Sequence, residues 1–166
     1  MRKTLELVGL GMLAVLYWIT WAAVSGPDKL PDRIPTHFNS AGIPNAWGPP
    51  NTLWLVPVVA AGVYLLITAI AAVPVTRVNL PVRVTPVNLA FIQEQTRNMI
   101  GWIKVELIGL FLYVQWTIIH AARDSQIRIS PLMIPALLVC VFGTVGVHLV
   151  VIIIGARERA DSASQS

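Results

Sequence analysis

Charged residues are scarce in this sequence. Only 12% of its 166 residues are Asp, Glu, Lys or Arg, whereas 55% are hydrophobic, and the mean hydropathy is +0.69. A soluble domain carries about 25% charged residues, so this chain has too few charges to cover a surface that faces water. We therefore expect a lipid bilayer to be its main partner.

Cysteine is nearly absent, and the common catalytic motifs are missing. Cys140 is the only cysteine, which excludes an internal disulfide and a cysteine-based metal motif. The sequence has no Gly-x-Ser-x-Gly turn and no glycine-rich loop of the phosphate-binding type. The net charge of +4 does not indicate nucleic acid, because the basic residues are scattered singly between apolar segments. The sequence thus predicts a protein that is not an enzyme, has no cofactor and binds no nucleic acid.

Long apolar stretches predict an all-α integral membrane protein with four transmembrane helices. These helices span about residues 5–25, 52–73, 86–122 and 131–154, and about 20 helical residues cross the roughly 30 Å hydrocarbon core. Residues 1–156 form a single membrane domain, with a Pro/Gly-rich loop at 26–51, and residues 157–166 are expected to be a disordered cytoplasmic tail.

The basic residues favour one orientation in the membrane. An even number of spans puts both termini on one side, which collects eight Lys and Arg side chains against four on the other. The positive-inside rule then predicts cytoplasmic termini and an extracytoplasmic 26–51 loop.

That loop differs sharply from the rest of the chain. Residues 27–50 hold six of the twelve prolines, which excludes a helix, and the stretch from Asn39 to Gly42 is typical of a turn. The loop also contains apolar side chains at Ile34, Phe38, Ile43 and Trp47. They are expected either to fold the loop onto the helix ends or the outer leaflet, or to form an exposed binding patch.

The histidines raise two further possibilities, a metal site and a pH sensor, on the side of the membrane where the loop lies. His37 in the loop and His120 at the end of the third helix are candidate metal ligands with Asp28, Asp32 or Asp124, and His37 is a candidate pH sensor. We favour the simpler interpretation that His37 hydrogen-bonds within a folded loop and His120 marks the interface, because no ligand spacing supports a metal. No metal site is therefore assigned.

Polar residues inside the apolar helices form a second candidate site. Glu106, Gln115 and His148 are candidate members of an intramembrane polar site, since an ionisable residue at that depth is often functional. Equally, Glu106 could pair with a nearby basic residue and His148 could hydrogen-bond to a neighbouring helix. Lys104 is expected to snorkel outward at the membrane edge.

The loop also carries a recognisable signature. Residues 30–39 read LPDRIPTHFN and are followed by Gly42 and Trp47-Gly48. This pattern, roughly LPxxIPxHFNxxGxxxxWG, resembles a bacterial membrane domain of unknown function found at the N-terminal end of SdpI-like immunity proteins. The resemblance covers about residues 8–73. It implies a multi-pass receptor of the bacterial plasma membrane that protects against a secreted toxin peptide and can hold a transcriptional repressor at the membrane.

Three functions follow as hypotheses. The first is a non-enzymatic sensor or protective factor against an extracellular peptide or envelope stress, whose ligand-binding loop comprises Ile34, Pro35, His37, Phe38, Asn39, Gly42 and Trp47. The second is a small transporter or accessory subunit that uses Glu106 and His148. The third is a structural subunit that packs against a membrane-protein partner or a second copy of itself.

Overall fold

The computed structural model describes residues 2–26, 29–124 and 126–164. Its long helices are α1 (Arg2–Ser25), α2 (Leu55–Ala71), α3 (Leu89–Ala121) and α4 (Met133–Ser164). A 3-10 turn, Pro50–Trp54, leads directly into α2, and a second one covers Val75–Arg77. With the first of these turns added to α2, all four helices are long and apolar enough to cross a membrane. The predicted number and order of helices are confirmed.

The 26–51 region contains a β-hairpin, so the all-α prediction is wrong for this part of the chain. Strands β1 (Ile34–Phe38) and β2 (Pro44–Gly48) pair antiparallel with an irregular register. Each strand contains a proline, which a two-stranded ribbon tolerates because both strands are edge strands. The predicted turn is confirmed: Asn39 Oδ1 accepts hydrogen bonds from the backbone N–H groups of Ala41 and Ile43.

Helix α3 lies at the centre of the helical arrangement. Its most extensive contacts are with α1 and α4, and it also packs against α2. The largest buried clusters all include α3 residues: Ile118 and Ile119 under the hairpin, Ile108 at mid-length, and Ile92 near the start of the helix. The bundle is thus built around one long helix.

The start of α3 differs slightly from the prediction. The expected start at Thr85-Pro86 is instead a turn, in which the Thr85 carbonyl accepts hydrogen bonds from the N–H groups of Asn88 and Leu89. The helix begins at Leu89 because the Asn88 side chain folds back onto the preceding segment. Its Oδ1 accepts from the Thr85 N–H and its Nδ2 donates to the Arg83 carbonyl.

Helix α4 continues to Ser164, which contradicts the disordered tail predicted at 157–166; residues 165 and 166 lie outside the described part. The Arg159 guanidinium lies 3.7 Å from the centre of the Phe91 ring on α3, and it donates a 2.8 Å hydrogen bond to the Gly155 carbonyl. Ala156 is buried in the cluster with Ile92. These contacts with α3 extend the helix beyond its apolar part.

Candidate functional site

The β1–β2 hairpin is anchored on the helix ends through its first strand. Ile34 is fully buried among Ala23 of α1, Leu53 of the 3-10 turn and Ile118 of α3. Phe38 packs against the same cluster. The expectation that apolar residues fold the loop onto the helix ends is confirmed for these two side chains, of which Ile34 is fully buried and Phe38 is half-buried.

The exposed part of the hairpin is formed by His37 and most of β2. The Nδ1 atom of His37 lies 2.5 Å from Oδ1 of Asn45 on the opposite strand, as expected for a histidine that hydrogen-bonds within a folded loop. Trp47 is 45% exposed, and Ile43 beside the turn is 38% exposed. We call His37, Ile43, Asn45 and Trp47 the hairpin rim.

Most of the predicted ligand-binding residues have structural positions instead. Pro35 is buried beside Ile34, and Gly42 is buried at the turn. Asn39 is exposed, but its side-chain oxygen is already occupied by two backbone N–H groups. Of the seven residues, His37, Asn39 and Trp47 are exposed, and of these His37 and Trp47 lie on the strands of the hairpin.

Gly42 fixes the tip of the hairpin against the connection between α3 and α4. Its φ of 72° lies in the left-handed region, which favours glycine. Its carbonyl accepts a 3.1 Å hydrogen bond from the Ile129 N–H, and a Cβ atom at this position would overlap the carbonyl oxygen of Ile129. The hairpin is thus held at both its base and its tip.

A buried hydrogen-bond network lies below the hairpin. Gln115 of α3 is completely buried, and its Nε2 donates to Thr20 Oγ1 of α1 at 2.6 Å and to the Leu53 carbonyl at 3.3 Å. The Thr20 hydroxyl in turn donates to the Leu16 carbonyl. This network ties α1, the 3-10 turn and α3 together at the level where the hairpin sits.

The other two members of the predicted polar site lie on a different side of α3. Glu106 Oε1 accepts a hydrogen bond from Thr144 Oγ1 of α4. His148, one turn further along α4, has its Nδ1 2.9 Å from the Thr144 carbonyl. Glu106 and His148 thus share the α3–α4 interface, whereas Gln115 lies between α3 and α1. The three residues do not form a single site.

The structure also contains a charged cluster that the sequence does not predict. Lys104 Nζ lies 2.8 Å and 2.9 Å from the two carboxylate oxygens of Glu6, and it donates to Thr68 Oγ1 at 2.9 Å. The Tyr64 hydroxyl donates a 2.6 Å hydrogen bond to Glu6 Oε2. Lys104 is only 1% exposed, so the prediction that it snorkels outward is wrong.

Two features of the sequence could have indicated this pair. Glu6 and Lys104 carry opposite charges, and each lies within a few residues of a long charge-free stretch at the same predicted side of the membrane. A buried ammonium is stable only when it is paired and hydrogen-bonded. A cavity of about 310 Å³ adjoins the pair, and Arg97 also lines it.

His120 lies in an aromatic groove between α1 and α3. Its ring is 4.2 Å from the Trp116 ring, and its Nδ1 is 2.8 Å from the Trp116 carbonyl. With Trp18 and Trp21 of α1 these residues line a groove of about 420 Å³ between α1 and α3. Across residues 2–26, 29–124 and 126–164, no three His, Cys, Asp or Glu side chains are grouped to hold a metal ion. Asp28, a candidate ligand, lies outside these ranges.

Comparison with known proteins finds a family model that matches part of the chain. The family model described as Domain of unknown function (DUF1648) matches residues 12–61, which run from α1 through the hairpin into α2. This match confirms the part of the resemblance that concerns a domain of unknown function. No curated protein and no solved structure matches the chain. The association with SdpI-like proteins stays a prediction.

Proposed function

We propose that this chain is a non-enzymatic, multi-pass protein of the bacterial plasma membrane, of the SdpI-like type, which recognises an extracytoplasmic peptide at the hairpin rim. Its termini lie in the cytoplasm and its hairpin lies outside. The observation that carries the proposal is the combination of a firmly anchored β1 with an exposed β2. Because such a hairpin is already ordered, a ligand that binds its exposed edge does not lose affinity to the entropy of ordering that edge.

The exposed strand suits an extended peptide. Within the described residues β2 pairs with β1 alone, so its outer edge presents unpaired backbone groups. An extended peptide can add a strand to such an edge, with side-chain contacts supplying specificity. Trp47 offers a large aromatic surface at that edge, and aromatic residues are common hot spots in binding interfaces.

The anchoring of the hairpin offers a route to the opposite side of the membrane. A peptide that shifts β1 acts on Ile118 and Ile119 of α3 through the shared buried cluster. At the other end of α3, Ile92 packs in a buried cluster with Val75 of the second 3-10 turn. The Arg-containing connection between α2 and α3 is then the element that reports the ligand, and a cytoplasmic repressor is the partner implied by the family resemblance.

The contacts of Glu106 and His148, the residues of the transport hypothesis, favour a role in helix packing. Both side chains lie at the α3–α4 interface, and the Nδ1 atom of His148 is 2.9 Å from the Thr144 carbonyl of its own helix. Glu106 and Thr144 are also hydrogen-bonded to each other, as is typical of a contact that fixes helix packing.

A display library of random short peptides tests the proposal. The full chain in lipid nanodiscs is the target, and enriched peptides are then measured against variants. We expect Trp47→Ala to weaken binding about tenfold or more, because truncating a central aromatic contact removes a hot spot. His37→Ala should also weaken binding, since it removes the side chain that braces Asn45 across the hairpin.

The matched control is Trp102→Ala. Trp102 is 40% exposed on α3, away from the hairpin, so its loss should leave the affinity of the same peptides unchanged. Peptides that bind the Trp47→Ala protein as tightly as the wild type would remove the hairpin rim from the mechanism.

A further inference from the structure

A second cavity lies at the opposite side of the chain from the hairpin, where the segment before α3 meets the last turns of α4. Its volume is about 330 Å³, within the range of about 300–1,000 Å³ found for small-molecule sites. Polar residues in its lining are Arg83, Thr85, Asn88 and Arg157. Ala156 and Ala160 form part of the α4 wall, and their small side chains leave the space open.

Two arginines face this cavity from different elements. Arg83 comes from the connection between α2 and α3, and Arg157 comes from α4. Within the described residues neither guanidinium has an ion-pair or hydrogen-bond partner, and the acidic residue next to Arg157, Glu158, lines a neighbouring groove with Val87 and Arg159. The cavity therefore carries an excess of positive charge.

The wall of the cavity also holds a buried donor without a partner among the described residues. The hydroxyl oxygen of Thr85 is buried and makes no hydrogen bond to any described residue. A buried polar group left unpaired is unfavourable, so a ligand oxygen that reaches this hydroxyl and accepts a hydrogen bond from it is favoured. The wall itself is fixed, because the buried Asn88 side chain bonds to the Arg83 carbonyl and the Thr85 N–H.

We propose that this cavity binds a phosphate group through the guanidinium groups of Arg83 and Arg157 and the hydroxyl of Thr85. Guanidinium groups match the oxygens of phosphate in paired hydrogen bonds. A phosphate also has several acceptor oxygens, enough to serve two guanidinium groups and one hydroxyl at once. A neutral ligand would leave the positive charge uncompensated.

The phosphate can come from an anionic phospholipid or from solution. Basic pockets on the cytoplasmic side of helical membrane proteins bind lipid headgroups, and the orientation proposed above puts the cavity at that side. The lipid source rests on that orientation, whereas the phosphate site itself does not, because it depends only on the residues that line it.

The test is a binding titration of the purified full chain in neutral detergent, in which calorimetry measures the binding. One arm adds short-chain phosphatidylglycerol and the other adds inorganic phosphate, each against sodium chloride of matched ionic strength. We expect saturable binding in at least one arm. Arg83→Gln and Arg157→Gln should each weaken it about tenfold or more, because each removes a charge-assisted hydrogen bond.

Matched variants distinguish a site from diffuse charge. Arg77→Gln removes one positive charge from the connection between α2 and α3, but Arg77 does not line the cavity. The affinity of this variant should therefore stay within about twofold of the wild type. Thr85→Val keeps the shape of the side chain and should weaken binding without loss of the folded state, which circular dichroism checks. Equal weakening by Arg77→Gln and Arg83→Gln, or no saturable binding in either arm, overturns the proposal.

The two arms also separate the sources. Binding of phosphatidylglycerol but not inorganic phosphate, with the same dependence on Arg83 and Arg157, identifies a lipid headgroup site. The reverse result identifies a soluble phosphate ligand. Neither outcome depends on the hairpin rim, so failure here leaves the peptide-recognition proposal standing.

Discussion

At the scale of single residues, Glu6 and Lys104 form one ion pair but are unequally buried. The Lys104 side chain is 1% exposed, whereas that of Glu6 is 34% exposed. Loss of either partner breaks the same contact, but the partner left behind differs. Without Lys104, Glu6 can still be hydrated and keeps the hydrogen bond from the Tyr64 hydroxyl. Without Glu6, Lys104 remains a buried charge whose contacts among the described residues are Thr68 and the Tyr64 ring.

We therefore expect Glu6→Gln to be more destabilising than Lys104→Met. Leaving a buried charge without its partner costs about 3–5 kcal/mol, whereas removing the buried charge itself should cost about 1–2 kcal/mol through lost hydrogen bonds. Denaturant unfolding in mixed micelles, followed by circular dichroism, measures the free energy of unfolding of each variant.

Two further variants control this comparison. Glu94→Gln removes a carboxylate from an exposed position on α3 and should change stability by less than about 0.5 kcal/mol. The double variant Glu6→Gln with Lys104→Met should be more stable than Glu6→Gln alone. Equal losses for the two single variants would show that burial does not decide the effect.

The sequence shows both charges but not their pairing. Lys104 lies a few residues from the charge-free part of its helix, so snorkelling was a reasonable expectation for an isolated lysine. Its actual position depends on Glu6 of another helix, 98 residues away in the chain. No local sequence pattern relates two residues that lie so far apart in the chain. For the same reason, the sequence identifies Glu106, Gln115 and His148 as polar residues within apolar helices but does not show that they lie at different helix interfaces.

At the scale of elements, the hairpin depends on the close contact at its tip. We expect Gly42→Ala to loosen it, because a left-handed backbone costs a residue with a Cβ about 1–2 kcal/mol and the new atom would overlap the Ile129 carbonyl. Hydrogen exchange followed by mass spectrometry should show faster exchange of the amide groups of Ile43 and Ile129.

The control for this change is Gly62→Ala. Gly62 lies within α2 with no neighbouring atom in reach of an added Cβ, and alanine is about 1 kcal/mol more favourable than glycine inside a helix. This variant should retain or raise stability. If Gly42→Ala leaves exchange at the hairpin tip unchanged, the contact with Ile129 does not hold the hairpin.

The hairpin also shows how far element-level prediction reached. The prolines excluded a helix, and the Asn39–Gly42 turn was predicted because Asn and Gly have specific turn conformations. The strands were missed because IPTHF and PNAWG are short and each contains a proline, which weakens a strand signal. The extension of α4 was missed because it rests on Phe91, a residue of another helix.

At the scale of the whole molecule, the proposed orientation puts Ser40 of the hairpin and Asn79 of the α2–α3 connection on opposite sides of the membrane. In a Cys140→Ser background, a membrane-impermeant thiol reagent applied to intact cells should label Ser40→Cys and not Asn79→Cys. Both positions are exposed, so both should react after the cells are permeabilised. Labelling of Asn79→Cys alone in intact cells would put the hairpin in the cytoplasm and exclude an extracytoplasmic ligand.

The pairing of Glu6 with Lys104 also constrains how the protein is made. The carboxylate belongs to α1, and the ammonium that pairs with it is synthesised 98 residues later. At typical translation rates of 5–20 residues per second, that interval lasts about 5 to 20 s. During biogenesis α1 therefore exists before the Lys104 ammonium does, and α3 meets a carboxylate that has already been synthesised. The ion pair is in this way a late contact in the assembly of the bundle.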